Sequence, residues 1–446
     1  MSNYRAVLFR ADASSTIGTG HIMRDLILAK QYPDSKIYFA TRALDGNLNN
    51  KIRQEEYEVV NLQTNDIEEL DKVVKKLGID LLIIDHYEIH YEDEKKLSIL
   101  NSQLSIMVLD DTYEKHHCDM LLNHNISADA SRYKDLVPKD CELRCGEKYT
   151  LLREEFKAEK KIQREKIYDI FIAMGGADTA GLNVKILEIL GDAKNIVIVT
   201  TTANRNLDTL KKYVQNKNNI SLFINSIEVA KLINQSKLAI ITPSVTVNEV
   251  LFLDVPFIAI KTADNQEDIY NYLKRNRYKI LSTFSVKVLT NLLSRELVNF
   301  TELSLDEKKM ILQWRNDERI KKWMFSTDTI TLENHLKYID MLSLKKDRVY
   351  FLVKYKNSPI GVIDFTEIDA FKANFGLYAN PDKKGVGNIL MEEIINYGFH
   401  ILKVKKLIAE VFETNIKAIK LYGKYDFTTV EKKDNLLIME LDNENR

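Results

Sequence analysis

Short apolar runs separated by longer amphipathic stretches fill the first third of the chain. Arg5–Arg10, Lys36–Ala40, Leu81–Asp85 and Ser105–Asp110 have the length and composition of buried strands. After the first of them, which extends back to Tyr4, residues Ile22, Met23, Leu26, Ile27 and Leu28 repeat at helical spacing. Such alternation predicts a parallel sheet covered by helices. A charged stretch, Glu154 to Lys166, reads as a connector, and the pattern restarts at Tyr168–Met174, Ile196–Thr200, Leu238–Thr242 and Pro256–Ile260. Near residue 295 the chain becomes richer in aromatics and changes its strand pattern. Strands at Val349–Lys354, Pro359–Phe365 and Asn374–Asn380 then lead into a helix that runs to about Ile401. Three domains are expected, at 1–150, 151–290 and 296–446.

Composition narrows the class. A length of 446 residues exceeds what one core organises. With 45% hydrophobic and 29% charged residues the chain reads as soluble and globular. Lys and Arg (64) balance Asp and Glu (65), so bulk charge points to neither nucleic acid nor an anionic membrane. No apolar run reaches the roughly 18 residues that a membrane span needs, and the N-terminus shows no secretory signal pattern. Cys118, Cys141 and Cys145 are odd in number and lack metal-ligand spacing, so reduced thiols, a cytoplasmic protein and no metal are expected. Oligomeric state stays open.

The first chemistry-bearing stretch is Phe9 to Arg24. Gly18 and Gly20 permit a tight turn and close approach of a ligand. His21 then falls in the first helical turn, where the helix dipole and Arg24 disfavour imidazolium. A neutral histidine there suits a general base, though a histidine that merely positions the turn is the alternative. Met23 occupies the place of the third glycine of a dinucleotide fingerprint, which argues against a nicotinamide or flavin enzyme.

That stretch, together with Asp85-His86-Tyr87, Asp110-Asp111, Asn123-His124-Asn125 and the segment Tyr149 to Phe156, resembles the nucleotide-sugar hydrolases of pseudaminic acid biosynthesis over residues 1–285. The resemblance implies an α/β architecture of the GT-B type, a pair of Rossmann-like domains. It also implies removal of UDP from UDP-2,4-diacetamido-2,4,6-trideoxy-β-L-altropyranose, with His21 as base. Asp12 is expected to orient His21 or the sugar, with a loop-capping role as the alternative. Arg10, Gly20, Arg24 and Tyr87 are expected to bind substrate, with His86 close by.

For the UDP half, Gly175-Gly176 follows an apolar strand and precedes a helix at Asn183–Leu190. Backbone N–H groups at such a turn hold phosphate, although a purely structural turn fits equally. In the hydrolases and their glycosyltransferase relatives the corresponding segments bind diphosphate and ribose. This implies Ser244 and Thr246 at the diphosphate, Glu249 at the ribose, and Asn265 and Gln266 nearby. Pro243 departs from the family's usual glycine and has no N–H to donate.

Beyond residue 295, Trp314 to Glu318 and Ile360 to Phe427 resemble the GNAT acetyltransferases, an α+β fold. Gly385-Val386-Gly387-Asn388 opens a helix and suits the pyrophosphate of acetyl-CoA, with charge from Lys383 or Lys384. Asp382 stands where the family prefers Arg or Gln. The resemblance assigns Asn415 to the cofactor arm and Tyr422 as general acid. Glu410 is the first candidate for the base that frees the acceptor amine, with Asp364 and Glu367 as alternatives. Trp323-Met324 and Gly376 to Tyr378 look like the branch that acetylates the 4-amino group of a UDP-linked altrosamine. Two consecutive steps on one UDP-linked amino sugar are thereby implied. A GT-B glycosyltransferase with a regulatory GNAT domain is the other reading.

Overall fold

A computed structural model describes residues 4–443. Seven strands build the first sheet: β1 (Ala6–Ala11), β2 (Lys36–Arg42), β3 (Glu58–Leu62), β4 (Leu81–Asp85), β5 (Ser105–Leu109), β6 (Met120–Asn123) and β7 (Glu142–Cys145). All pairings are parallel, in the order β3-β2-β1-β4-β5-β6-β7. The alternation of side chains explains why these runs are apolar throughout. Leu8, Leu82 and Ile106 point into one helical layer with Leu70, Val74 and Leu97. Val7, Phe9, Ile83 and Met107 point into the other, with Ile22 and Leu26. The rings of Phe9 and Phe39 stack at 4.8 Å. Each fully buried Leu, Ile or Phe stabilises the layer by about 1.5–3 kcal/mol.

A second parallel sheet is built from β8 (Tyr168–Ala173), β9 (Ile196–Thr200), β10 (Ile220–Ile224), β11 (Ser236–Ile241), β12 (Phe257–Ile260) and β13 (Ile280–Leu281). Its order, β10-β9-β8-β11-β12-β13, repeats the topology of the first. In both sheets the chain reverses its winding direction beside the first strand, and such a switch point opens a crevice at the carboxyl ends of the strands.

The third sheet has the order β14-β15-β16-β17-β18-β20-β19, from β14 (Arg295–Asn299), β15 (Val349–Tyr355), β16 (Ser358–Thr366), β17 (Lys372–Ala379), β18 (Lys406–Phe412), β19 (Thr428–Lys433) and β20 (Leu436–Asp442). Only β17 and β18 run parallel, and their ladder covers just Lys372–Asn374 against Lys406–Ile408. Beyond that level the two strands part.

The chain divides into two compact units. One takes Met1–Lys166, Ile227–Gln235 and Pro243–Leu253; the other takes Ile167–Ser226, Ser236–Thr242 and Asp254–Arg446. The expected connector after Arg153 is in part a helix, Glu154–Glu159, and the helix expected to reach Ile401 ends as α-helix at Asn396 before a π-turn over Tyr397–Ile401. Among the described residues no helix is long and apolar enough to cross a membrane. Nor is any group of three or more His, Cys, Asp or Glu gathered as metal ligands would be. Cys118, Cys141 and Cys145 are free thiols.

Candidate active sites

The first site forms at the switch point between β1 and β4. Gly18, with φ of +89°, turns the chain after β1, and the helix Gly20–Ala29 starts with open space in front of Gly20. His21 in its first turn is 9% exposed. Its Nδ1 lies 2.9 Å from both the backbone oxygen and Oδ1 of Asp85, the last residue of β4. Arg24, one turn on, donates from Nε to Asp85 Oδ2 at 2.6 Å and from a terminal nitrogen to Asp111 Oδ2 at 3.0 Å. Tyr87 stands edge-on to the His21 ring at 4.8 Å and donates its hydroxyl proton to Asp111 at 3.1 Å.

The electrostatics of this cluster correct one expectation. Burial lowers the pKa of His21, as the helix start and Arg24 were expected to do, but the Asp85 carboxylate outweighs them and raises it. Burial alone would raise Asp85, yet the Arg24 guanidinium and His21 hold it below the ordinary carboxylate range. With Nδ1–H directed at Asp85, Nε2 is left as the basic nitrogen. An oriented histidine–carboxylate pair of this kind suits proton abstraction from water. Behind it Asp25 is fully buried, and burial and the charge of Asp85 push its pKa well up.

Two assignments move. Asp12, expected to orient His21, is 1% exposed and instead binds Arg10, the Arg42 side chain at 2.7 Å and His86 Nε2 at 3.0 Å. Arg10, expected to bind substrate, is likewise 1% exposed and spends its guanidinium on Asp12, the Ala40 carbonyl and Asn65. The pair ties β1 to β2. Tyr87, by contrast, is 55% exposed.

The expected UDP residues fall in separate loops. Gly175, with φ of +76°, has open space around its missing Cβ, whereas Gly176 lies against Thr201. Asp178 caps the following helix by accepting from the N–H of Leu182 and Asn183, and that helix spans Asn183–Leu190. Ser244 is the N-cap of the helix Val245–Phe252, and Thr246 in its first turn is half-buried. Glu249 is 9% exposed, and Arg153 donates to it at 2.9 Å, so the carboxylate is already partly engaged. Burial raises its pKa against that pairing. Asn265 is exposed, while Gln266 turns its amide onto Thr262.

The second site lies where β17 and β18 part. Gly385 has φ of +77° with open space around it, and Gly387, the first residue of the helix Gly387–Asn396, packs against Leu421. Lys384 is exposed, and Lys383 donates to Ser358 at 2.6 Å. Asp382, out of pattern by sequence, is neutralised by Arg319 at 3.0 Å. Asn388 accepts from Lys424 at 2.9 Å, and Val386 is half-buried between the glycines. Asn415 caps the helix Ile416–Lys424 through the N–H of Ala418. Tyr422 in that helix is 6% exposed, and burial followed by the charge of Asp364 raises its pKa. Glu410 is exposed on β18, whereas burial pushes Asp364 on β16 to about 7. Phe325 stands 71% exposed, 6.0 Å from the ring of Phe412.

A histidine–carboxylate pair at a parallel-sheet switch point, followed by a split mixed sheet with a glycine-opened helix, defines a two-site α/β enzyme. The GNAT acetyltransferase domain family matches residues 297–428. The chain is 46% identical over 274 residues to the UDP-2,4-diacetamido-2,4,6-trideoxy-β-L-altropyranose hydrolase of Campylobacter jejuni, covering 61% of this chain and 98% of that one. Acetyltransferase PseH of the same species is 46% identical over 137 residues, covering 31% of this chain and 87% of that one. An uncharacterized protein of Methanocaldococcus jannaschii is 23% identical across 96% of this chain and 98% of its own. The crystal structure of Campylobacter jejuni PseH matches at 40% identity over 33% of this chain and 98% of that one, with a TM-score of 0.29. The chain thus belongs to the family of that UDP-sugar hydrolase in its N-terminal part and to that of the PseH acetyltransferase in its C-terminal part.

Proposed function

We propose that this enzyme performs two consecutive reactions on one nucleotide sugar. The C-terminal domain transfers acetyl from acetyl-CoA to N4 of UDP-4-amino-4,6-dideoxy-N-acetyl-β-L-altrosamine. The N-terminal part then hydrolyses UDP-2,4-diacetamido-2,4,6-trideoxy-β-L-altropyranose to UDP and the free sugar. The observation that carries this reading is the His21–Asp85 pair, in a segment 46% identical to a hydrolase of that sugar.

In hydrolysis a water oxygen forms a bond to the anomeric carbon as the bond from that carbon to the UDP oxygen breaks. His21 Nε2 takes the proton from the water, and direct displacement inverts the anomeric centre. Arg24 and Tyr87 face the sugar. The repeated strand order of the two parallel sheets supports a GT-B-like Rossmann pair. On that reading Gly175, Gly176, Ser244, Thr246 and Asn265 receive the UDP, whose departing charge is met by backbone N–H groups. In acetyl transfer, the open turn at Gly385 and the start of the next helix receive the cofactor pyrophosphate, and Tyr422 protonates the departing thiolate.

Hydrolysis in ¹⁸O-labelled water tests the reading. The isotope is expected at the anomeric carbon of the free sugar, and the first-formed anomer is expected inverted by NMR. Isotope in UDP, or a retained anomer, would sink the mechanism.

A further inference from the structure

The geometry points to Asp364, not the exposed Glu410, as the group that takes the proton from the substrate amine in acetyl transfer; this rests on the acetyltransferase reading above. Asp364 sits in the middle of β16, paired with Tyr350 on β15 and with Gly376 on β17. A Cβ at 376 would lie 2.6 Å from Asp364 Oδ2 and 3.1 Å from Oδ1, so the carboxylate lies across bare glycine backbone. The β17–β18 ladder ends at Asn374 and Ile408, two residues short of Gly376 and of Glu410. The carboxylate is therefore held on β16 at the level where the sheet opens.

Its surroundings are aromatic. Tyr350 from β15, Tyr378 from β17 and Tyr422 from the helix Ile416–Lys424 all feel its charge. The nearby cations act on those tyrosines, Arg348 on Tyr350 and Arg315 on Tyr378, and among the described residues no ion pair engages Asp364 itself. Its side chain is half-buried, and the loss of solvation pushes its pKa to about 7. A half-buried carboxylate held without a cation where the sheet opens, and felt by Tyr422, is placed to exchange a proton with an entering amine.

The step balances. Asp364 takes one proton from the ammonium, and the free amine nitrogen bonds to the thioester carbon. The carbon–sulfur bond then breaks, and sulfur takes the Tyr422 proton. The second nitrogen proton restores Tyr422, and Asp364 releases its proton to water.

Asp364→Asn is the test. At pH 7 it is expected to lower kcat for acetyl transfer about 10²-fold, with acetyl-CoA binding by calorimetry changed less than about threefold. Wild-type kcat is expected to fall at acid pH with a midpoint near 7, a limb that D364N loses and Glu410→Gln keeps. Independently of any variant, the ¹³C carboxyl resonance of Asp364 in the wild-type protein is expected to titrate near the same pH. Wild-type kcat and pH profile in D364N, loss of the limb in E410Q, or a carboxyl that titrates below pH 5 would each overturn the assignment. Failure of the wild-type enzyme to acetylate the amino sugar would instead overturn the acetyltransferase reading.

Discussion

His21 and Asp85 meet across two elements far apart in sequence, the start of the first long helix and the end of β4, with Nδ1 and Oδ1 2.9 Å apart. The contact fixes the ring so that Nε2 carries the free lone pair, and it makes that nitrogen more basic. Arg24 grips the same carboxylate from one turn further along the helix, so the base and its orienting acid are held by one rigid corner.

Replacing Asp85 by Asn keeps the shape and removes the charge. Hydrolysis by D85N is expected to fall by about 10² to 10⁴-fold, while acetyl transfer, measured by thiol release, stays unchanged. Equal loss of both activities would mean that the variant has lost its fold.

The pH profile of hydrolysis follows from the sign of the His21 shift. The base works neutral, and its pKa lies above the ordinary 6.5, so kcat is expected to rise with pH along a limb centred above 6.5. In D85N that limb moves to lower pH. A limb in D85N that moves upward would contradict the role given to the carboxylate.

A second histidine contributes stability instead of chemistry. His116 is buried, with Nδ1 2.8 Å from Glu94 and Nε2 3.9 Å from Asp110. Burial lowers its pKa, but the two carboxylates outweigh burial and raise it to about 9. Because the folded value is raised, the stabilisation is fully present below pH 6.5 and is lost as pH rises towards 9. It is worth on the order of 3 kcal/mol at its fullest. The gap in thermal midpoint between wild type and His116→Gln is expected to narrow from pH 6 to pH 9.5.

Glu393 is 3% exposed and is held by Lys279 at 3.0 Å and Arg295 at 3.3 Å. Arg295→Met strips the buried carboxylate of the more deeply buried of its two cations and also breaks the ion pair of Arg295 with Glu392. The loss is expected to be about 3 kcal/mol, read as a lower urea midpoint for the loss of acetyl-CoA binding.

Tyr422→Phe removes the proton for the departing thiolate. Acetyl transfer is expected to slow about 10²-fold, with hydrolysis of the pre-acetylated nucleotide sugar untouched.

Sequence reasoning reached the strands that are buried on both faces, such as Leu81–Asp85, because their apolar runs are uninterrupted. It missed β3 and β10, whose residues are mostly half-buried at sheet edges, and the four-residue β6. It placed His21 correctly in the first helical turn but not its partner. Asp12 is nearer in sequence, yet fold topology brings Asp85 to the ring and gives Asp12 to Arg10. The signal was present in Asp85-His86-Tyr87 closing a strand, but which carboxylate faces His21 depends on the pairing of β1 with β4. Likewise, only the pairing of β16 with β17 shows that Asp364 lies over Gly376.

Mass spectrometry of the purified protein with the UDP-4-amino sugar, with and without acetyl-CoA, tests the central claim most directly. Wild type is expected to acetylate the sugar and then release UDP, to leave the amino sugar unhydrolysed without acetyl-CoA, and to stall at the acetylated nucleotide sugar as His21→Ala. UDP release by H21A at the wild-type rate, or no acetylated intermediate in any reaction, would contradict it.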